Sequence, residues 1–230
     1  MPITMYDLAG SDPNRRFSPF CWRTRMALAH KGLEVETVPW RFTETDELPP
    51  PNDGRVPVIV DGGKVVHDSS AIADYLDGRY ADRPLFPGLA ARGLSKFVQN
   101  WTETVLQAGM VRLIVLDIWK HIGPADQVYF RQSREQRFGT TLEKVAEDRE
   151  ARLPAFRASL DPLRRTVERQ PYVCGDAPAY ADYIVFGAFQ WARATSDFEL
   201  LAPDDPVRVW RGRMLDLYGG LGRRAPGYGD

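Results

Sequence analysis

Cysteine is scarce in this chain. Only Cys21 and Cys174 occur among 230 residues, far apart and in no disulfide or metal-ligand spacing. Histidine offers no substitute, because His30, His67 and His121 are scattered and form no cluster; no metal site is expected. No apolar run approaches the roughly 20 residues that cross a bilayer. The opening Met-Pro-Ile-Thr-Met-Tyr-Asp-Leu lacks the charged-then-apolar profile of a signal peptide. A surplus of either charge is missing too. Thirty basic against 31 acidic residues leave a net charge of −1, without the basic footprint of a nucleic-acid binder. What is present is 43% hydrophobic content, enough for the core of one large domain or two small ones. The expectation is a soluble, cytoplasmic protein of the α/β or α+β class.

The first 80 residues alternate in character. Ile3–Leu8 reads as a strand, and Ser18-Pro19 then opens a helix that runs to about Lys31 and stops at Gly32. Val35–Val38 reads as a second strand, followed by a loop from Thr43 to Gly54 rich in Pro, Asp and Glu. Residues 55–76 then carry the densest pattern in the chain. Val56, Val58, Ile59 and Val60 favour a strand, Asp61-Gly62-Gly63 is hairpin-turn chemistry, and Lys64–His67 returns. Asp68, Ser69 and Ser70 are helix caps before Ile72, Tyr75 and Leu76 at helical spacing. The order βαβ–ββα is a thioredoxin-like arrangement, a parallel half followed by an antiparallel one.

The Pro- and Gly-containing run around residues 83–89 reads as a linker, dividing domain 1–82 from an all-helical domain 90–230. There the pattern predicts five to seven helices. One long segment runs from about Ala91 to Trp119, with Met110, Leu113, Ile114 and Asp117 on one stripe. A charged stretch from Gln127 to Arg169 is bent or broken at Pro154 and Pro162. Tyr180–Thr195, apolar on nearly every side, reads as a central buried helix, and Val207, Trp210, Met214 and Leu217 step along a last one.

Chemistry concentrates at two helix starts. Ser18 sits where strand passes to helix, so the helix dipole and free N–H groups point at whatever binds there. Its hydroxyl is placed to donate to a bound thiolate and, with the dipole, lower a thiol pKa from about 8.5 towards neutrality. The plainer reading is an N-cap contributing about 1 kcal/mol. Cys21 completes a Ser-x-x-Cys pattern lacking its first cysteine, which makes it a packed thiol rather than a redox nucleophile. Pro57 has no N–H for a ladder, which leaves the backbone of Val56 to pair with a guest chain. In this fold the helix starts after Ser18 and Asp68 should converge near a cis Val56-Pro57 bond, offering a thiolate site, a carboxylate site and backbone pairing. A small acidic thiol peptide fits all three.

The chain resembles the glutathione transferase superfamily over nearly its whole length. The carriers are Ser18-Pro-Phe-Cys-Trp-Arg-Thr-Arg25, Arg55-Val-Pro-Val-Ile59 with its hairpin, Asp68-Ser69, and Gly175-Asp-x-Pro178 leading to Ala181-Asp182. Where the family carries Ser or Thr before that aspartate, this chain has Ala179, which leaves the capping box incomplete. Within the superfamily it is most similar to bacterial β-aryl etherases and their fungal relatives, through Trp22–Gly32, Ser133–Gln136, Arg149–Pro154, Asp204–Arg208 and Leu215–Arg223. Arg16 departs from that subgroup, in which a Thr can stand two residues before the serine; Arg16 is a candidate for holding an anionic substrate.

The resemblance implies a homodimeric enzyme with glutathione as cosubstrate. Ser18 would hold the thiolate, Val56 the cysteinyl backbone, Asp68 and Ser69 the γ-glutamyl group, and Arg55 a carboxylate, with Arg41 and Asn52 as lesser candidates for the glycyl end. A hydrophobic, aromatic electrophile would lie between Phe17 or Phe20 and the Met110/Leu113 face, with β-aryl ether cleavage as one version of the reaction. The alternative is a binding or interaction module of the same fold without turnover.

Overall fold

The structure, a computed structural model, describes residues 2–229. Its N-terminal half is built on four strands: β1 (Ile3–Leu8), β2 (Val35–Trp40), β3 (Val58–Asp61) and β4 (Lys64–His67), in the order β2-β1-β3-β4. β1 and β2 run parallel, while β3 is antiparallel to both β1 and β4. The helices of this half are α1 (Pro19–Lys31) and α2 (Ser69–Arg79). The chain order is therefore the expected βαβ–ββα.

Local chemistry accounts for the helix ends. Ser18 caps α1 and accepts from the Cys21 N–H at 3.2 Å, Pro19 pre-sets the first turn, and Gly32 takes the left-handed conformation (φ 68°) that closes it. Asp68 caps α2, accepting from the Ser70 and Ala71 N–H groups at 2.9 and 3.0 Å. Its own φ is +70° with ψ at 128°, a conformation that costs a non-glycine residue energy. Lys31 at the end of α1 then ties down the connection to the second half, its ammonium donating to Asp77 and to the carbonyls of Tyr80 and Asp82.

The second half contains only helices among the described residues. These are α3 (Ala91–Trp101), α4 (Ala108–Lys120), α5 (Pro124–Phe138), α6 (Leu142–Ala146), α7 (Arg149–Ser159), α8 (Asp161–Val167), α9 (Tyr180–Thr195) and α10 (Pro206–Gly220). A π-helical turn, Thr102–Gln107, joins α3 to α4, so the long segment read from the sequence is continuous. Eight helices exceed the five to seven expected. The excess comes from Gln127–Arg169, which Gly139, the Glu147-Asp148 pair and Leu160 cut into four pieces. Pro162 opens α8, but Pro154 lies within α7 and does not end it. None of the described helices is long and apolar enough to cross a membrane.

α9 is the axis of the molecule. Nearly every residue from Tyr180 to Thr195 is buried, as the unbroken apolar pattern required. It packs most extensively on α1, and the contact depends on Gly187: a Cβ there would run into the Pro19 carbonyl. The start of α9 is held by half a capping box. Ala179 has no oxygen to offer, yet the Asp182 carboxylate still accepts from the Ala179 N–H at 3.2 Å. It also accepts from the N–H groups of Val173 (2.7 Å) and Cys174 (3.1 Å) and from the Trp210 indole (3.1 Å).

Replacing Asp182 by Ala strands these four donors, of which the Ala179 N–H and the Trp210 indole are buried. The expected loss of stability is about 3 kcal/mol in urea unfolding. A loss below about 1 kcal/mol would mean that the donors find other partners.

Candidate active site

Strand register gathers the sequence-flagged residues at one end of the sheet. Tyr6 near the end of β1 pairs with Val58 at the start of β3, and Val58 pairs in turn with His67 at the end of β4. Val56-Pro57 lies just before Val58, joined by the expected cis bond. Asp68 follows directly on His67. The loop after β1 folds back so that the Phe17 N–H donates to the Leu8 carbonyl at 3.3 Å, returning Ser18 to the same end. Ser18, Val56 and the Asp68-Ser69 start of α2 thus stand around one sheet end, with two helix N-termini directed at it.

Each keeps unspent hydrogen-bonding capacity. The Ser18 hydroxyl accepts one bond from Cys21 and has its proton left to donate. Neither the N–H nor the C=O of Val56 is paired among the described residues, and the same holds for the Ser69 N–H. Arg55 is exposed and has no acidic partner among the described residues. The lesser candidates are already engaged: Arg41 pairs with Glu44 at 3.1 Å, and Asn52 spends its amide on the Leu48 and Pro49 carbonyls and its oxygen on the Gly54 N–H. Arg16 also turns inward, its guanidinium 3.7 Å from the buried Asp7 carboxylate.

Cys21 is fully buried beneath Ser18. Burial, reinforced by the nearby Asp7 carboxylate, pushes its thiol well above the ordinary range. That is the packed, unreactive cysteine the sequence suggested.

Sequence reasoning missed the buttress under Asp68-Ser69. Tyr180 at the head of α9 donates its hydroxyl to the Ser69 carbonyl at 2.7 Å. The Ser70 hydroxyl donates to the Gln99 side chain (2.9 Å), whose amide donates to Glu103 (3.0 Å). Glu103 also receives the Arg23 guanidinium at 2.9 Å. Arg23 is fully buried, lies 4.7 Å over the Phe20 ring, and leaves Nε and Nη2 unpartnered. The four-residue spacing of Gln99 and Glu103 was the available signal, but such pairs are common on any helix surface.

The apolar wall is where expectation and structure part. Met110 and Leu113 are 0% and 1% exposed, packed within the helical core. Their stripe faces other helices, so neither residue reaches a ligand at the sheet end. Phe17, itself buried, meets Phe42 at 6.2 Å between ring centres, and Phe42 packs on Tyr129 (5.8 Å) and Phe130 (5.9 Å) of α5. The Arg134 guanidinium lies 4.6 Å over Phe130. An aromatic cluster therefore stands beside Ser18, with Phe20 half-exposed on its other flank.

Two family models match this chain: "Glutathione S-transferase, N-terminal domain" over residues 17–79 and "Glutathione S-transferase, C-terminal domain" over residues 93–210. The chain belongs to the glutathione S-transferase family. The N-terminal match covers Ser18, Val56 and Asp68-Ser69; the C-terminal one covers Gln99, Glu103 and α9. Glutathione S-transferase Z1 of Arabidopsis thaliana is 41% identical over 84 residues, 34% of this chain and 36% of that protein. The first curated relatives are matched over only 31% to 59% of their own length. Among solved structures, glutathione transferase GSTFuA3 of Phanerochaete chrysosporium superposes with a TM-score of 0.75 at 25% identity, over 96% of this chain and 92% of that one. CsGST63524 of Ceriporiopsis subvermispora, solved in complex with glutathione, gives 0.77 at 24% identity, over 95% and 96%. That second likeness speaks to the fold of this family member.

Proposed function

We propose that this protein is a glutathione transferase that activates the glutathione thiolate at Ser18 for attack on a hydrophobic, aromatic electrophile. The convergence of Ser18, the unpaired Val56 backbone and the Asp68-Ser69 helix start at one sheet end carries this reading. Glutathione is a small acidic thiol peptide and matches each feature. Its cysteinyl unit pairs with Val56, its γ-glutamyl carboxylate meets the Ser69 N–H and the α2 dipole, and Arg55 serves a carboxylate. Its thiol meets the Ser18 hydroxyl and the α1 N-terminus, both of which favour the ionised form.

The reaction needs little more from the protein than that thiolate and a positioned partner. The sulfur lone pair forms the new C–S bond, and the bond to the leaving group breaks with its electron pair. In β-aryl ether cleavage the attacked carbon bears the aryl ether beside a ketone, and a phenolate departs. The Phe17–Phe42–Tyr129 cluster supports an aromatic substrate, and the sequence likeness to the etherase branch supports this version of the reaction. Two free thiols suit a reducing compartment such as the cytoplasm.

Homodimerisation is part of the proposal. Leu94 and Phe97 on α3 are 64% and 72% exposed, apolar residues that a second copy would cover. Light scattering after size exclusion should find a dimer, and Phe97→Glu should shift it to monomer. A wild-type monomer, or a variant that dimerises as well as wild type, would remove α3 from the interface.

For the chemistry, glutathione turnover is measured against a chlorinated nitroarene and a β-aryl ether ketone. Ser18→Ala should lower kcat/KM by about 10²-fold, comparable to removing one donor to a developing anion. The thiol limb of the pH–rate profile should move to higher pH, because an anion that loses a donor ionises later. A variant at full rate would assign the thiolate to backbone N–H groups. Wild type that binds glutathione and turns over neither compound would favour the binding module.

A further inference from the structure

Two arginines one turn apart on α5 are spent differently. The Arg131 guanidinium has two carboxylates, Glu135 at 2.8 Å and Glu143 at 2.7 Å. Arg134 has none among the described residues. Its Nη1 donates to the Ser133 hydroxyl at 2.8 Å, and the Tyr129 hydroxyl is its other polar neighbour. The guanidinium lies 4.6 Å over the Phe130 ring and 5.6 Å from the centre of the Phe42 ring. Burial, with the like charge of Arg137, holds its pKa below the ordinary guanidinium range against the pull of Tyr129. A cation partly removed from water and met only by neutral oxygens lacks the anion that would compensate its desolvation.

This charge stands on the aromatic cluster beside Ser18, and the cluster is held in place. The N–H and the hydroxyl of Thr43 both donate to the Asp126 carboxylate near the start of α5, at 3.0 and 2.9 Å. Those bonds pin the loop after β2 to α5, and with it Phe42, which meets Phe17 at 6.2 Å. Phe17 immediately precedes Ser18. The run Phe17–Phe42–Arg134 therefore leads from the neighbour of Ser18, along aromatic surface, to an uncompensated cation. Phe42 is half-buried and Tyr129 is 45% exposed, so part of this surface faces solvent.

We propose that Arg134 determines specificity for the electrophile, selecting aromatic substrates that carry a carboxylate across the ring from the carbon that sulfur attacks. The inference rests on the reading of Ser18 as the thiolate site. A ring lying along Phe42 with its reactive carbon at Ser18 turns its far end to Arg134. The guanidinium fork takes a planar carboxylate through two parallel N–H···O bonds, which a neutral ester cannot match. In the reaction the sulfur lone pair forms the bond to the ring carbon, and the leaving group departs with its bonding electron pair. The carboxylate stays on the product, so its recognition can be read from binding of the conjugate without turnover.

The probes are S-(4-carboxy-2-nitrophenyl)glutathione, the methyl ester of its aryl carboxylate, and glutathione itself, each titrated calorimetrically. Wild type should bind the acid at least about tenfold more tightly than the ester. Arg134→Met keeps an apolar stem and removes the charge, and it should bring that ratio to within about twofold. Its affinity for glutathione should match that of wild type. Arg134→Gln should do the same, and melts followed by circular dichroism show that the variants are folded. No preference for the acid in wild type, or a preference that survives in a folded variant, would overturn the role of Arg134 and leave the glutathione site standing. Wild type that fails to bind glutathione would overturn both.

Discussion

The geometry at the sheet end depends on how closely α1 lies against α9. Gly187 has no side chain, and that space is taken by the backbone of the first turn of α1, at Pro19. Any Cβ at that position would push the turn away, and Ser18 with it. The same helix fixes the other half of the site, since Tyr180 at its head holds the Ser69 carbonyl. A single buried helix from the C-terminal half thus sets the relative position of two helix N-termini in the other half. It is itself anchored by Asp182, whose carboxylate gathers four donors from the preceding loop, its own cap and α10.

This arrangement suits chemistry in which the protein contributes position and electrostatics. A helix N-terminus and one hydroxyl can favour a thiolate without a general base, provided the helix does not move as charge develops. Packing supplies that rigidity on the α1 side, and the chain Ser70–Gln99–Glu103–Arg23 supplies it beside α2. Arg23 sits wholly buried at the end of this chain, a costly placement unless its charge is compensated, and Glu103 provides the compensation. The aromatic cluster from Phe17 to Tyr129 borders the site without entering the polar network.

Much of this was legible because local chemistry dictates it. Ser18-Pro19 and Gly32 bracket α1, Asp61-Gly62-Gly63 turns the hairpin, and Asp68 caps α2, all through backbone groups within a few residues. What was not legible depends on partners remote in sequence. Periodicity places Met110 and Leu113 on an apolar stripe but cannot say whether the stripe faces a ligand or other helices; it faces the core. The destination of Arg16 depends on Asp7, a buried carboxylate on β1 that no local pattern marks as its partner. The buttress under α2 joins residues 23, 70, 99 and 103, none of which is distinctive alone. The helix count failed because Gly139 and Leu160 end helices inside a stretch whose composition favours helix throughout.

The central claim is that Ser18, Val56 and Asp68-Ser69 form one glutathione site. A crystal structure of the protein grown with glutathione tests it most directly. The account predicts the sulfur within hydrogen-bond distance of the Ser18 hydroxyl, the cysteinyl backbone paired with Val56, and the γ-glutamyl carboxylate on the Ser69 N–H. Glutathione bound elsewhere, or with its sulfur turned away from Ser18 while the peptide lies on Val56, would contradict it.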